Sequence, residues 1–358
     1  MIGIILSSRV IKHILAKEPH PTVQFYKKLA RNNKVNLCFY TMKNVSLKSK
    51  TARGYVYSYA EDKLVKKKIP VPKVNVYRVG SYLRNENSIK KIKQLRKKDG
   101  IMFFHAVTNY ERSKYKIYQY LASNKKTAPY LPETNMLSYL TVVKMLDRYN
   151  KLYIKPVRSS RGNNIYVIEQ TKQGFTISHV ANFKEKVVKI AKGELYEYFH
   201  KTFTTPKKFL VQQAIDSDKY KGKKFDFRIS PQKNKYGSWQ VTGMIARVAN
   251  KCDNITNLDQ GGRVKYKLKP LISNETRKNI KKASIQIAKT IEAKFPQVID
   301  LGIDLAVDKQ GNVYLIEANF RPYRRRINIR HNRIPFEHVV WYLKQQNASA
   351  ASKKAKAE

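Results

Sequence analysis

The stretch GIDLAVDKQGNVYLIEANFRP, residues 302 to 322, decides the fold prediction because it predicts a two-stranded hairpin with KQGN as its turn. Glu317 and Asn319 are two positions apart, so they lie on one face of the second strand. Asp304 on the first strand lies opposite them. Carboxylate and amide oxygens suit a hard cation such as Mg²⁺. Asp304, Glu317 and Asn319 are therefore the predicted metal ligands.

Length and composition indicate a globular protein of two or three domains or subdomains. The chain has 358 residues, and a hydrophobic content of 42% argues against disorder. We find no uninterrupted apolar stretch of the length that a membrane span needs. The two cysteines, Cys38 and Cys252, form neither a disulfide framework nor a metal-binding spacing, which is typical of a reducing compartment.

Net charge points to an anionic partner. Lys and Arg total 73 against 25 Asp and Glu, a formal net charge of +48, which exceeds what solubility requires. The candidates are nucleic acid, an acidic polymer of the cell envelope and a polyanionic peptide. Nucleic acid is less favoured, since the sequence contains no zinc finger, RNA-binding signature or clear helix-turn-helix. A lysine-rich composition set by codon usage is the alternative to any polyanion contact.

The order of apolar segments predicts the domain organisation. Short strands at 2–7, 36–42, 75–80 and 101–106, separated by basic helical or looping segments, indicate a small βα domain over residues 1–110. Residues 111–208 and 209–340 then form two further subdomains. The low-complexity basic tail, residues 341–358, is expected to be disordered.

Several polar segments are candidates for anion binding. The loop RSSRGNN at 158–164 follows Lys155 and could present backbone N–H groups to an anion, although such a segment is also typical of an ordinary hairpin. Asp226 and Arg228 share a strand face, so they form either a structural ion pair or a site in which the guanidinium binds phosphate. The sequence contains no convincing Ser/His/Asp or Cys/His set for nucleophilic catalysis.

These segments, taken in order, resemble the ATP-grasp superfamily and, more narrowly, its spore-coat-associated YheC/YheD-like group. The segments that carry the resemblance are SKYKIYQYLAS, APYLPET, YIKPVRSSRGNNI, FDFRI, NLDQGG and IEANFRP, between about residues 100 and 335. The resemblance implies a mixed α/β (α+β) ATP-grasp fold with an N-terminal βα, Rossmann-like (pre-ATP-grasp) lead-in domain. It also implies an ADP-forming carboxylate–amine ligase that uses ATP and one or two Mg²⁺ ions, in a cytoplasmic or spore-associated protein.

The resemblance implies roles for named residues. Lys114 and Lys155 would hold the α- and β-phosphates of ATP. A mobile flap over the triphosphate would run from Ser159 to Asn164 and include Ser160, Arg161 and Gly162. The residues expected to border the adenine are Gln212, Gln213 and Ile215. Arg228 and Arg247 would stabilise charge at the transferred phosphoryl group. Residues expected near the substrate, an acidic peptide or polyanionic polymer, are Gly261, Gly262, Arg321, Arg324 and Arg325.

The chain departs from the family pattern at three positions. Ser159 and Asn164 stand where related flap loops usually carry glycine, and Gln212 stands where many relatives have Glu. Two alternatives to the ligase therefore remain open: a nucleotide-binding, catalytically weak or inactive structural protein of the spore coat, and a polyanion- or nucleic-acid-binding protein.

Overall fold

The N-terminal part of the chain forms a seven-stranded sheet around a parallel centre. A computed structural model of the chain describes residues 1–79, 83–108, 110–111, 113–158, 162–182, 184–250, 254–320 and 330–355. The first sheet runs β3-β4-β2-β1-β6-β7, with β5 paired to β4, and strands β2, β1, β6 and β7 are parallel. Its elements are β1 (Ile2–Ile5), α1 (Ser8–Leu15), α2 (Pro21–Asn32), β2 (Leu37–Tyr40), β3 (Val45–Ser46), β4 (Thr51–Ser58), β5 (Lys63–Pro70), β6 (Val74–Tyr77), α3 (Glu86–Asp99) and β7 (Met102–Phe104).

Local sequence explains these elements. Strands β1, β2 and β6 are buried throughout, as their largely apolar sequences require in a parallel sheet covered on both faces. Helix α3 begins at an Asn85 cap and ends at Gly100, which has a left-handed φ of 63°. The four strands expected from the sequence are present. The β4–β5 hairpin was not predicted, because its lysines read as a basic loop.

A second sheet of six antiparallel strands follows, in the order β12-β11-β10-β9-β13-β8. Helices α5 and α6 cover one of its faces, with Met145 and Phe199 buried in a shared core. The elements are α4 (Lys114–Ala122), β8 (Thr134–Met136), α5 (Tyr139–Leu146), β9 (Lys151–Pro156), β10 (Ile165–Thr171), β11 (Gly174–Ala181), β12 (Lys184–Ala191), α6 (Leu195–Thr202) and β13 (Phe209–Gln213). Because β13 pairs with β8 and β9, this sheet extends past the boundary expected at residue 208.

The third sheet, also antiparallel, has the order β17-β16-β15-β18-β19, with β14 paired to β15. Helix α7 packs on it through a stripe that includes Ile280, Ile287 and Ile291, and Ile117 and Leu121 of α4 join the same core. The elements are β14 (Lys219–Tyr220), β15 (Lys223–Lys233), β16 (Trp239–Val248), β17 (Arg263–Lys265), α7 (Asn274–Lys294), β18 (Gly302–Val307) and β19 (Val313–Asn319).

The last helix, α8 (Arg330–Ala355), returns to the first sheet. Phe336, Val339 and Leu343 are buried in the core that contains Ile4 and Phe104. The helix continues to Ala355, so the tail expected to be disordered from residue 341 is helical over 341–355, as its alanines favour. Within the described part of the chain, no helix combines the length and apolar character that crossing a bilayer requires.

Candidate functional site

A cleft lies between the second and third sheets. Strands β9 and β13 supply one wall, β19 supplies the other, and α4 closes one side. The lining is apolar with a few charged groups, as is typical of small-molecule sites. The lining residues are Lys114, Ile117, Tyr118, Thr134, Lys155, Leu210, Gln212, Leu315, Ile316, Glu317 and Ala318.

Lys155 is the buried cation of this cleft. It lies on β9, and its Nζ donates to Oε1 of Gln212 on the neighbouring β13 at 2.6 Å. Gln212 Nε2 in turn donates to Thr134 Oγ1 at 2.9 Å. Burial, together with the nearby positive charges of Lys114 and Lys224, lowers the pKa of Lys155 to about 7. The ammonium therefore lacks the compensating charge that would hold it fully protonated.

Lys114 reaches the same cleft from the start of α4. Its backbone N–H donates to the carbonyl of Val157 at 3.2 Å, which fixes the helix start beside β9. Its Nζ lies 3.8 Å from Oε1 of Glu317 on β19. The two predicted phosphate-binding lysines and one predicted metal ligand are thus brought together.

Lys224 is a third lysine here, and sequence reasoning missed it. Its Nζ donates to the hydroxyl of Tyr153 at 2.6 Å and lies 4.3 Å from the centre of that ring. Lys155 Nζ lies 5.3 Å from the same ring centre. Strand periodicity could have found Lys224, because it is two residues before Asp226 and so shares its face of β15.

Asp226, Arg228, Arg247 and Asp304 form a buried ion network across three strands. Both predicted catalytic arginines belong to it. Arg247 binds Asp226 through two hydrogen bonds of 2.8 and 2.6 Å, and its Nη2 lies 3.2 Å from Oδ2 of Asp304. Arg228 donates to both carboxylate oxygens of Asp304, the Nη2 bond being 2.9 Å long. Each arginine pairs with the aspartate opposite it on a neighbouring strand.

The network shifts the pKa values of Arg247 and Asp304. Burial alone would lower the pKa of Arg247, but Asp226 and Asp304 outweigh it and raise that pKa. Burial alone would raise the pKa of Asp304, but Arg228 and Arg247 hold it below its usual range. Arg247 and Asp304 therefore both stay charged at neutral pH.

The predicted metal ligands lie on one hairpin, as expected. Asp304 is directly opposite Glu317, and Asn319 is opposite Gly302. A β-bulge between Asp304 and Leu305 leaves Ile316 as the extra residue of β19. Carboxylate and amide oxygens fit Mg²⁺. The described residues contain no group of three or more His, Cys, Asp or Glu that could hold a metal. The predicted set differs from such a group because its third member, Asn319, is an amide.

Comparison with known proteins identifies the family. A family model described as YheC/D like ATP-grasp matches residues 104–342. The chain belongs to this family. Endospore coat-associated protein YheD of Bacillus subtilis (strain 168) is 28% identical over 219 residues, covering 59% of this chain and 48% of YheD. YheC of the same organism is 20% identical over 208 residues, covering 56% of each. The chain thus spans about half the length of these relatives.

Solved structures share the fold of this ATP-grasp chain. ATP-grasp ligase PsnB, in complex with its minimal precursor, Mg and ADP, gives a TM-score of 0.55 at 12% identity, covering 96% of this chain and 98% of PsnB. D-alanine-D-alanine ligase from Coxiella burnetii gives 0.51 at 11% identity, covering 100% and 99%. The predicted ATP-grasp fold and mixed α/β class are therefore confirmed.

The three residues predicted to border adenine have different surroundings. Gln212 lines the cleft. The Gln213 side chain accepts a hydrogen bond from the backbone N–H of Glu133 at 3.1 Å, so it ties β13 to the segment before β8. The Ile215 carbonyl accepts from the backbone N–H of Ser217 at 3.0 Å. Gln212 is thus the member of this set that the structure brings to the two lysines.

The flap expected over the phosphates is described in part, since Ser159, Ser160 and Arg161 lie outside the described residues. Gly162 has a φ of 68° and Asn164 a φ of 55°, so asparagine adopts the left-handed conformation here in place of glycine. Gln260 Nε2 donates to Asn163 Oδ1 at 2.7 Å. The flap end therefore contacts the loop that follows β16.

Gly261 and Gly262 lie in that loop, where they were expected to contact substrate. Gly261 has a φ of 87°, and a Cβ on Gly262 would lie 2.1 Å from the carbonyl oxygen of Thr256. The loop's own close turn thus accounts for Gly262. The predicted substrate residues Arg321, Arg324 and Arg325 lie outside the described residues.

Proposed function

We propose that this protein is an ATP-dependent carboxylate–amine ligase that acts on an acidic peptide or polymer. The observation that carries the proposal is the convergence of Lys114, Lys155 and Glu317 on one cleft between two antiparallel sheets. A bound triphosphate would place negative charge beside the buried Lys155 ammonium, whose surroundings do not hold it fully protonated. The nucleotide would then lie between the lysines of one wall and the metal ligands of the other.

Asp304, Glu317 and Asn319 would hold one or two Mg²⁺ ions, which supply charge neutralisation at the phosphate oxygens. Among these three residues, Asp304 has the least capacity left to bind a metal ion. A carboxylate accepts at about four lone-pair positions, and Arg228 and Arg247 occupy three of those on Asp304. One position on Oδ1 is left for a cation, so Glu317 and Asn319 would carry most of the coordination.

The proposed reaction has two steps. A substrate carboxylate oxygen bonds to the γ-phosphorus as the bond to the β-phosphate oxygen breaks, which gives an acylphosphate and ADP. An amine then bonds to the acyl carbon, releasing phosphate and a proton and forming an amide. The chain's residues would bind and orient the reactants, with Lys155 and Arg228 facing the developing phosphoryl charge. No nucleophilic side chain is required.

An acidic substrate is supported by charge. The net charge of +48 makes an anionic substrate electrostatically favoured. Arg321, Arg324 and Arg325 follow directly after the predicted metal strand in the sequence, where arginines would steer a carboxylate towards the γ-phosphate. PsnB was solved with precursor peptides, which makes a peptide a reasonable first acceptor to test.

The test is ADP and phosphate formation in variants of the cleft. Glu317→Gln and Lys155→Ala should each lower turnover by about a hundredfold or more. The first removes a metal-binding carboxylate, and the second removes a cation at the phosphates. Glu169→Gln is the matched control, because Glu169 forms a surface ion pair with Lys151 and is 51% exposed. Turnover at the wild-type level in both cleft variants would reject the site assignment.

A second function is favoured by the contacts that Arg228 and Arg247 make with the Asp304 carboxylate. If both arginines retain that carboxylate when ATP is bound, the protein would bind nucleotide without turnover. It would then act as a structural protein of the spore coat, the location that the names of YheD and YheC state for those relatives. ATP binding without ADP formation, over a panel of carboxylate and amine acceptors, would support this function over the ligase.

A further inference from the structure

Strand β5 forms a lysine-rich outer edge of the N-terminal sheet. Among the described residues it pairs with β4 alone, so one row of its backbone N–H and C=O groups faces outward. The strand reads KLVKKKIP. Its four exposed lysines are Lys63, Lys66, Lys67 and Lys68.

The hairpin keeps like charges together. Exposed Arg53 on β4 lies directly opposite Lys68, and Lys66 lies on the same face two residues away. Like charges directly opposite each other destabilise a strand pair. Within the part of the chain that the structure describes, no carboxylate forms an ion pair with these three cations. The positive charge of this face is therefore uncompensated by its own surroundings.

Protection against aggregation does not explain this arrangement. Charged side chains, especially lysine, discourage pairing at a sheet edge. Here a cation also faces another cation, which protection does not need. Val65, in the middle of the same strand, is 46% exposed, and an exposed β-branched residue favours strand pairing. The edge thus combines a backbone suited to pairing with a charge that selects an anionic partner.

We propose that β5 is a docking edge for an extended acidic polypeptide, which adds to the sheet as a further strand. Its backbone would pair with the outward N–H and C=O groups of β5, and its carboxylates would lie beside Lys66, Lys67 and Lys68. A polypeptide fits better than a nucleic acid. Single strands of nucleic acid bind through exposed aromatic rings, whereas Tyr55 on β4 is half-buried and Tyr57 is buried.

The docking edge is separate from the cleft. Strand β5 is at one edge of the sheet and β7, from which the chain leads to α4 and the cleft, is at the other. Docking therefore does not depend on the proposed ligase activity. Variants of β5 should leave ATP turnover with small acceptors unchanged, and Glu317→Gln should leave peptide docking unchanged.

Fluorescence anisotropy with a short labelled peptide of alternating glutamate and threonine tests the proposal. The full-length Lys66→Gln/Lys68→Gln variant should bind about tenfold more weakly at low salt, because two charge-assisted contacts are lost. Lys281→Gln/Lys282→Gln on α7 is the matched control, since both lysines are exposed and the net charge changes equally. The affinity of this control variant for the peptide should fall by less than about threefold.

A second peptide separates strand addition from simple charge attraction. Replacing alternate threonines by proline keeps every carboxylate but removes backbone donors, so its affinity should fall about as far as that of the lysine variant. The proposal would be overturned if the β5 variant and the α7 control lost peptide affinity equally. It would also be overturned if the proline peptide bound as tightly as the original peptide. Tighter, Lys66-dependent binding of an oligouridylate would overturn it in favour of nucleic acid.

Discussion

Raising the pH should weaken nucleotide binding through Lys155. In the free protein, burial and neighbouring lysines lower the pKa of this side chain to about 7, from a model-compound value of 10.5. Phosphate groups beside the ammonium would raise the pKa towards its ordinary value. Between those two values, binding takes up a proton, so the affinity falls as pH rises. Below about pH 7 the ammonium is already protonated and the affinity should level off.

The size of the effect follows from the protonated fraction. With a pKa of about 7, about a quarter of the Lys155 side chains are protonated at about pH 7.5 and about one in a hundred at about pH 9. The affinity for ATP should therefore fall about twentyfold over this range. The γ-phosphate is largely ionised throughout, because the last pKa of a phosphate monoester is about 6.

Loss of folded protein through Lys155 at high pH cannot account for this fall in ATP affinity. Because the folded pKa of Lys155 is below the unfolded value, the unfolded chain binds more protons between these pKa values. The contribution of Lys155 to the free energy of unfolding therefore increases as pH rises through that window. Stability and affinity should change in opposite directions.

Isothermal titration calorimetry at about pH 7.5 and about pH 9, in buffers of different ionisation enthalpy, measures both affinity and proton uptake. Lys155→Arg should remove the pH dependence, because a guanidinium stays charged throughout. Lys155→Met should bind weakly at both pH values. Equal wild-type affinities at the two pH values, or the same fall in Lys155→Met, would refute the reasoning.

Two further predictions concern stability, each measured by urea unfolding. Arg247→Met should lower the free energy of unfolding by about 3–5 kcal/mol, since it leaves two buried aspartates without their shared cation. The control Arg148→Met, at an exposed position, should lower it by about 1 kcal/mol or less. Equal losses of stability in the two variants would contradict the role of the network. Gly237→Ala should cost about 1–3 kcal/mol more than Gly222→Ala. Both glycines have a similar positive φ, but the added Cβ meets Trp341 of α8 at 2.5 Å only at position 237. Similar losses at the two glycines would mean that α8 tolerates the displacement.

Local sequence patterns predicted the β18–β19 hairpin but not the partners of its aspartate. Strand alternation correctly put Asp226 and Arg228 on one face, which suggested an ion pair between them as one of two alternatives. Residues two apart on a strand are about 7 Å apart, whereas opposite residues on neighbouring strands are about 5 Å apart. Each side chain therefore pairs across the sheet, and strand order, which the sequence does not state, selects Arg247 and Asp304 as the partners.

Elements held by distant contacts were the hardest to predict. Helix α8 packs on the first sheet through Phe336 and Val339, more than two hundred residues along the chain from Ile4 and Phe104. Nothing in residues 330–343 specifies that partner, so the segment read as the end of the third subdomain. The β4–β5 hairpin failed for a different reason. Because lysines occupy so many of its positions, the hairpin shows no clear alternation of apolar and polar residues. Pairing with β2, rather than local propensity, keeps β4 in the sheet.

The same cross-strand pairing determines the charge of the cleft. The two arginines and two aspartates of the buried network pair one to one, so their formal charges cancel. The charge that a ligand meets is then set by Lys114, Lys155 and Lys224 against Glu317. Three cations facing one carboxylate, one of them with its pKa lowered to about 7, leave the site short of negative charge. Under the proposed function, a triphosphate would supply that charge, and a metal ion beside Glu317 would offset the excess negative charge of the triphosphate. With the network neutral, nucleotide and metal would then bind together, whereas either alone would leave an unbalanced charge.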